Sequence, residues 1–217
     1  MSAVILDVDG TLVDSRQIHV AAFEEVLREH RREIDPRPYL GLSTEAAFAQ
    51  MLPELTADDA VQLAFSKRER ATELMESVPE FLVGGAIEVM RTLSRRYRLA
   101  LCSSGGKRTL AVAQRRGLPI ELCEVIVTAD DCPQSKPHPG PYEACLASLE
   151  LSPDRAIAVE DTEIGARAAS AAGIRCVRIS SDADKDVAIG VIGASVVRVP
   201  DLVSAVAVID RMFSQDG

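Results

Sequence analysis

The chain has no tryptophan and no asparagine, and aromatic residues make up only 4% of it. Without asparagine it holds no acceptor for N-linked glycosylation. Lysine is scarce too, at positions 67, 107, 136 and 185, so arginine carries the rest of the positive charge. Basic residues are outnumbered, with 24 Lys+Arg against 33 Asp+Glu and a formal net charge of -9. That balance argues against nucleic acid, whose phosphates need a basic face, and against anionic membrane surfaces. A local basic pocket for one small phosphate stays compatible with it.

The five cysteines, at 102, 123, 132, 145 and 176, are odd in number and form no C-x-x-C pair. Neither a disulfide framework nor a zinc site is indicated, and reduced thiols in a cytoplasmic protein are expected. No apolar stretch approaches the ~20 residues of a membrane span. The opening Met-Ser-Ala-Val-Ile-Leu-Asp carries no basic region, and Asp7 interrupts its apolar run, so it does not read as a signal peptide.

What is present is ordinary globular usage: 217 residues, 47% hydrophobic and 26% charged, enough for one large domain or a core with an insertion. Short aliphatic runs recur at 3–6, 98–102, 125–128, 156–160, 175–179 and 195–199, with helix-period segments at 86–96, 108–116, 141–150, 162–172 and 202–212. This alternation predicts an α/β fold with a parallel sheet. Arg95, Arg96, Arg115 and Arg116 fall in last helical turns, where they read as dipole and solvation features. One stretch breaks the alternation. From about 15 to 77 only helix-like segments occur (18–32, 44–51 and 57–76), punctuated by Pro36, Pro38, Gly41 and Pro53. They read as a helical subdomain over about 15–78, inserted into a core of 1–14 and 79–217.

Four segments carry candidate chemistry. Asp7-Val8-Asp9-Gly10-Thr11-Leu12 follows the first strand directly. Two carboxylates so close do not both ionise cheaply, so one holds a proton or a cation sits between them. A calcium loop lacks its required register here, while an Asx turn stays open. Ser103-Ser104-Gly105-Gly106 follows the second strand and precedes a helix, which suits an anion site or an ordinary cap. Lys136, in Ser135-Lys136-Pro137-His138-Pro139, presents an ammonium from a restrained loop. Glu160 and Asp161 end the fourth strand and open a helix, where Asp161 could also serve as an N-cap. All four converge on the carboxyl edge of the sheet, where ligands of such folds bind.

In this order, Asp-Val-Asp-Gly-Thr-Leu, Cys-Ser-Ser-Gly, Ser-Lys-Pro-His-Pro and Val-Glu-Asp-Thr-Glu-Ile-Gly resemble the haloacid dehalogenase-like hydrolase superfamily. The helical insertion is similar to the cap of its phosphoglycolate phosphatase and β-phosphoglucomutase branch. The resemblance runs from Val4 to about Leu202, and it implies a three-layer Rossmann-like core with the strands in the order third, second, first, fourth, fifth. It implies Asp7 as nucleophile, Asp9 as general acid/base, and Ser103 and Lys136 as phosphate-binding catalytic residues, with Ser104 and Gly105 adding backbone contacts. It further implies Mg2+ held by Asp7, the Asp9 carbonyl and Asp161, with Glu160 at a position that also serves the metal in relatives carrying the same Glu-Asp pair. His19 matches a cap-hinge histidine. Thr44 stands where the mutase pattern carries an arginine that grips a second phosphate, and in sequence only Arg37 is near it. The expected activity is therefore phosphatase action on a small phosphorylated metabolite through an aspartyl-phosphate. A β-phosphoglucomutase-like isomerase and a non-catalytic binding protein are the alternatives.

Overall fold

A computed structural model describes residues 2–180 and 196–215. Ser195, expected to open the sixth strand, lies outside the described residues. Strands β1 (Ala3–Leu6), β2 (Arg98–Cys102), β3 (Val125–Val127), β4 (Ala156–Glu160), β5 (Arg175–Ile179) and β6 (Val196–Val199) form one sheet in the order β3-β2-β1-β4-β5-β6. Every pair is parallel, with Ala3 of β1 opposite Arg98 of β2 and Ala156 of β4. The expected order holds, and β6 extends it beyond β5.

Successive residues of the central strands serve opposite faces. Val4, Leu6, Leu101 and Val159 pack with helices α4 (Ala86–Ser94), α5 (Lys107–Arg115) and α8 (Leu202–Ser214). Ile5, Ala100, Cys102 and Ala158 pack with α6 (Gly140–Leu149) and α7 (Glu163–Ala171) on the other face. Both faces are covered, which is why β1 and β4 read as continuous apolar runs.

Between β1 and α4 the chain runs through α1 (Arg16–Glu29), a 3-10 turn (Arg37–Tyr39), α2 (Thr44–Met51) and α3 (Ala57–Ser77). These helices build their own cluster around Phe23, Leu27, Phe48 and Leu63, with Phe23 set edge-on to Phe48 at 5.1 Å. Ser43 caps α2, accepting from the Ala46 N–H, and Thr56 and Asp59 cap α3 reciprocally. Ser15 holds the N-cap position of α1 but makes no capping bond.

Two sequence readings are corrected. Arg115 and Arg116 serve more than their own helix dipole. Arg115 pairs with Glu76, and Arg116 donates to the Val78 and Pro79 carbonyls at 2.6 and 2.7 Å, which ties α5 to the end of α3. Arg96 pairs with Asp210 of α8. Helix α1 starts at Arg16 and stops at Glu29 rather than covering 18–32, and Arg31 adopts a left-handed φ of 56° just after it.

Candidate active site

Strand order reverses between β1 and β4, and at that crevice Asp7 and the Glu160–Asp161 pair leave the sheet side by side. Lys136, in the loop between β3 and α6, reaches into the crevice. Its ammonium donates to Asp7 Oδ1 at 2.7 Å, Glu160 Oε1 at 2.6 Å and the Cys102 carbonyl at 2.8 Å. Tyr142 donates to the same Glu160 oxygen at 2.6 Å. All four side chains are buried. Burial and the Glu160 charge push Asp7 well above the usual carboxylate range, against the pull of Lys136. Burial, then Glu160, raises Asp161 to about 6, although Arg16 donates to its Oδ2 at 3.2 Å.

Asp7 Oδ2 and Asp161 Oδ1 are buried with no hydrogen-bond partner among the described residues. Ligand oxygens of Asp7, Glu160 and Asp161 lie within 4.8 Å of one another. Two orphaned carboxylate oxygens in an all-oxygen cluster fit a hard divalent cation. Two glycines leave room for these carboxylates. A Cβ on Gly10, whose φ is +89°, would run into Asp161, and one on Gly165 would run into Glu160.

Of the two readings left open for Asp161 the N-cap falls away: it is 8% exposed, and the N-cap of α7 is Thr162, whose hydroxyl accepts from the Gly165 N–H. Asp161 is thereby left free to face Asp7.

Asp9 turns the other way, toward α1. Ser15 Oγ donates to its Oδ1 at 2.8 Å, which explains the missing cap of that helix, and His19 Nε2 lies 3.0 Å from the same oxygen. Ser103 Oγ donates more weakly to Asp9 Oδ2 at 3.4 Å and accepts from the Gly105 N–H at 2.9 Å. Burial works against the Asp9 charge, but these bonds and the nearby cations prevail and hold it at about 2. Behind His19, Lys67 of α3 donates to Nδ1 at 2.8 Å. Nδ1 is then the acceptor and Nε2–H the donor to Asp9. Burial lowers both partners, Lys67 to about 8.

A cleft of about 890 Å³, open to solvent, joins these groups. Its walls include Asp7, Asp9, Ser104, Gly105, Lys136 and Asp161 from the sheet side, and His19, Thr44, Lys67 and Arg68 from the helical side. Ser103 faces a second cavity, shared with Ser104 and Lys136. Of the site residues expected from sequence, Asp7, Asp9, His19, Thr44, Ser104, Gly105, Lys136 and Asp161 line the cleft, while Ser103 joins it through Asp9 and Glu160 through Lys136. Lys67, Arg68, Arg16 and Tyr142 were missed. Lys67 left a legible trace: it stands at the fourth-residue step between buried Leu63 and Ala71, with Met75 next, so a lysine interrupts an apolar helical stripe.

Residues 4–179 match the sequence profile of the haloacid dehalogenase-like hydrolases. The chain belongs to that family. Within it, a validoxylamine A 7'-phosphate phosphatase from Streptomyces hygroscopicus subsp. limoneus is 28% identical over 84% of this chain and 87% of that one. The CbbY protein of Cereibacter sphaeroides is 30% identical over 82% and 83%. A crystal structure of CbbY from Rhodobacter sphaeroides in complex with phosphate superposes with a TM-score of 0.78, covering 93% of this chain and 95% of that one at 25% identity. The β-phosphoglucomutase of Clostridium difficile shares the fold, with a TM-score of 0.84 at 19% identity and coverage of 99% and 98%. Among the described residues no helix is long and apolar enough to cross a membrane.

Proposed function

We propose that this hydrolase is a magnesium-dependent phosphatase of a small phosphate monoester, of the phosphoglycolate or sugar-phosphate class, acting in the cytoplasm through an aspartyl-phosphate on Asp7. The observation that carries the reading is the pair of orphaned oxygens, Asp7 Oδ2 and Asp161 Oδ1, beside a lysine that holds the other oxygen of Asp7. The phosphate held by CbbY and the phosphatase named among the relatives support it.

Asp7, Asp161 and the Asp9 carbonyl would hold the cation, with Glu160 fixed behind them by Lys136 and Tyr142. A divalent cation bound there supplies charge neutralisation between an anionic nucleophile and the phosphoryl oxygens. Asp7 attacks phosphorus in line, and its rigid position at the end of β1 favours the required approach. Lys136 and the Ser103–Gly105 turn stabilise the equatorial oxygens. Asp9 is ionised at rest, which suits it to take a proton from the water that releases phosphate. For the preceding step a proton has to reach Asp9, and the donor in contact is His19, recharged by Lys67. In this reading the helices over 15–78 form the cap, and 1–14 with 79–217 the catalytic core.

A screen of metabolite phosphates with Mg2+ tests the proposal. Phosphate release is expected, abolished by a chelator, and Mg2+ alone should raise the melting temperature of the wild type but not of Asp161→Ala. Absence of both effects would discard the assignment. The isomerase alternative needs an anchor for a second phosphate, and Arg68, the guanidinium that folding brings near Thr44, is already engaged.

A further inference from the structure

Arg68, on the helical wall of the cleft, belongs to a charge pair that the reading above leaves without a role. Arg68 of α3 directs Nη2 at both oxygens of Glu45 on α2, at 2.6 and 2.7 Å. The two side chains are half-buried, at 40% and 35% exposure. Arg68 lines the catalytic cleft, and both residues line the second cavity, so the pair stands on the partition between the two.

Each lysine or arginine around the cleft is engaged. Lys136 is held by Asp7 and Glu160, Lys67 by His19, Arg16 by Asp161, and Arg68 by Glu45. A substrate's phosphoryl group draws on the Lys136 end. A second anion on the same substrate would meet a guanidinium already neutralised and a Glu45 carboxylate that repels it. A hydroxyl meets the opposite situation, because Glu45 accepts from O–H and Arg68 donates to the oxygen while the pair stays intact. Beside them Leu40, Leu42 and Ala71 offer an apolar wall to the carbon face of such a group.

We propose that the Glu45–Arg68 pair is a specificity filter, admitting phosphate monoesters of uncharged polyols and rejecting esters that carry a carboxylate or a second phosphate. This rests on the phosphatase reading of the same site and narrows it to sugar-phosphate-like substrates, away from phosphoglycolate.

The test compares kcat/KM of the full chain with Mg2+ for two matched pairs. These are glycerol 3-phosphate against 3-phosphoglycerate, and fructose 6-phosphate against fructose 1,6-bisphosphate, with p-nitrophenyl phosphate as reference. The uncharged member of each pair should be favoured about tenfold or more. Glu45→Gln, which releases the Arg68 charge, should shrink that preference about tenfold, and Arg68→Gln, which leaves Glu45 unneutralised, should enlarge it. General damage would move both members of a pair together, so opposite movement in the two variants is diagnostic. Should one variant not fold, the ratio in the other decides. A wild type that prefers the charged members, or ratios unchanged by substitution, overturns the filter and leaves the phosphatase reading standing. No turnover of p-nitrophenyl phosphate by the wild type removes both.

Discussion

Two buried lysines sit on opposite walls of the cleft, and their charges are treated in opposite ways. Lys136 is 3% exposed and Lys67 is 4% exposed. Burial disfavours the ammonium in both. At Lys136 that penalty is overcome by Asp7 and Glu160 in direct contact, and its pKa rises well above the usual lysine value. At Lys67 the contact is a neutral ring, Asp9 lies one residue further off, Arg68 adds repulsion, and the pKa falls to about 8. Burial alone therefore does not set the charge. The group at hydrogen-bond distance does, and it makes one lysine a fixed countercharge and the other a proton donor near neutral pH.

The largest expected effect removes the partner that Lys136 serves. Asp7→Asn should lower turnover on the order of 10³-fold or more and eliminate acid-stable phosphoenzyme in a rapid-quench trap. Retained turnover would discard Asp7 as nucleophile. Next, Lys136→Met leaves Asp7 and Glu160 facing each other, buried and uncompensated. Urea unfolding should register a loss of about 3–5 kcal/mol, the scale for breaking a buried ion pair from one side. Lys67→Met removes a cation that is itself poorly housed, so the stability change at pH 7 should stay under about 1.5 kcal/mol. In that variant kcat should fall more for alkyl phosphates than for p-nitrophenyl phosphate, whose phenolate needs little protonation. Equal unfolding costs for the two lysine variants would break the comparison.

The smallest effect is in pH dependence. Lys67 titrates near 10.5 when unfolded and near about 8 when folded, so between these values the unfolded chain holds more protons. Wild-type stability relative to Lys67→Met should therefore rise as pH is raised from about 8 to about 10.5, and stay flat below. Urea midpoints at several pH values measure this, and a flat difference across that window would show that Lys67 keeps its proton.

Much of the site was legible because its residues stand at strand ends. Each buried strand of a parallel sheet announces itself by composition, and the residue after it is placed at the carboxyl edge by topology alone. Asp7, Ser103, Glu160 and Asp161 needed no further information. Arg68 and Glu45 gave no such signal, since an i to i+23 ion pair between two helices depends on how those helices pack. Ser15 shows the same dependence on packing, because one hydroxyl can serve either a helix N-terminus or a neighbouring carboxylate, and here it serves Asp9.

The sequence by itself determined the strand segments, the helical insertion and the four candidate site segments, because local periodicity and chain order carry them, and the family resemblance added the strand order. Only the tertiary structure decided which carboxylate oxygens stay unpartnered, that Asp9 is held ionised, and that Lys67 and Arg68 line the cleft. Those properties depend on distances between residues far apart in the chain. A shift of an ångström or two exchanges one hydrogen-bond partner for another, and in a buried site of low dielectric that exchange sets the charge.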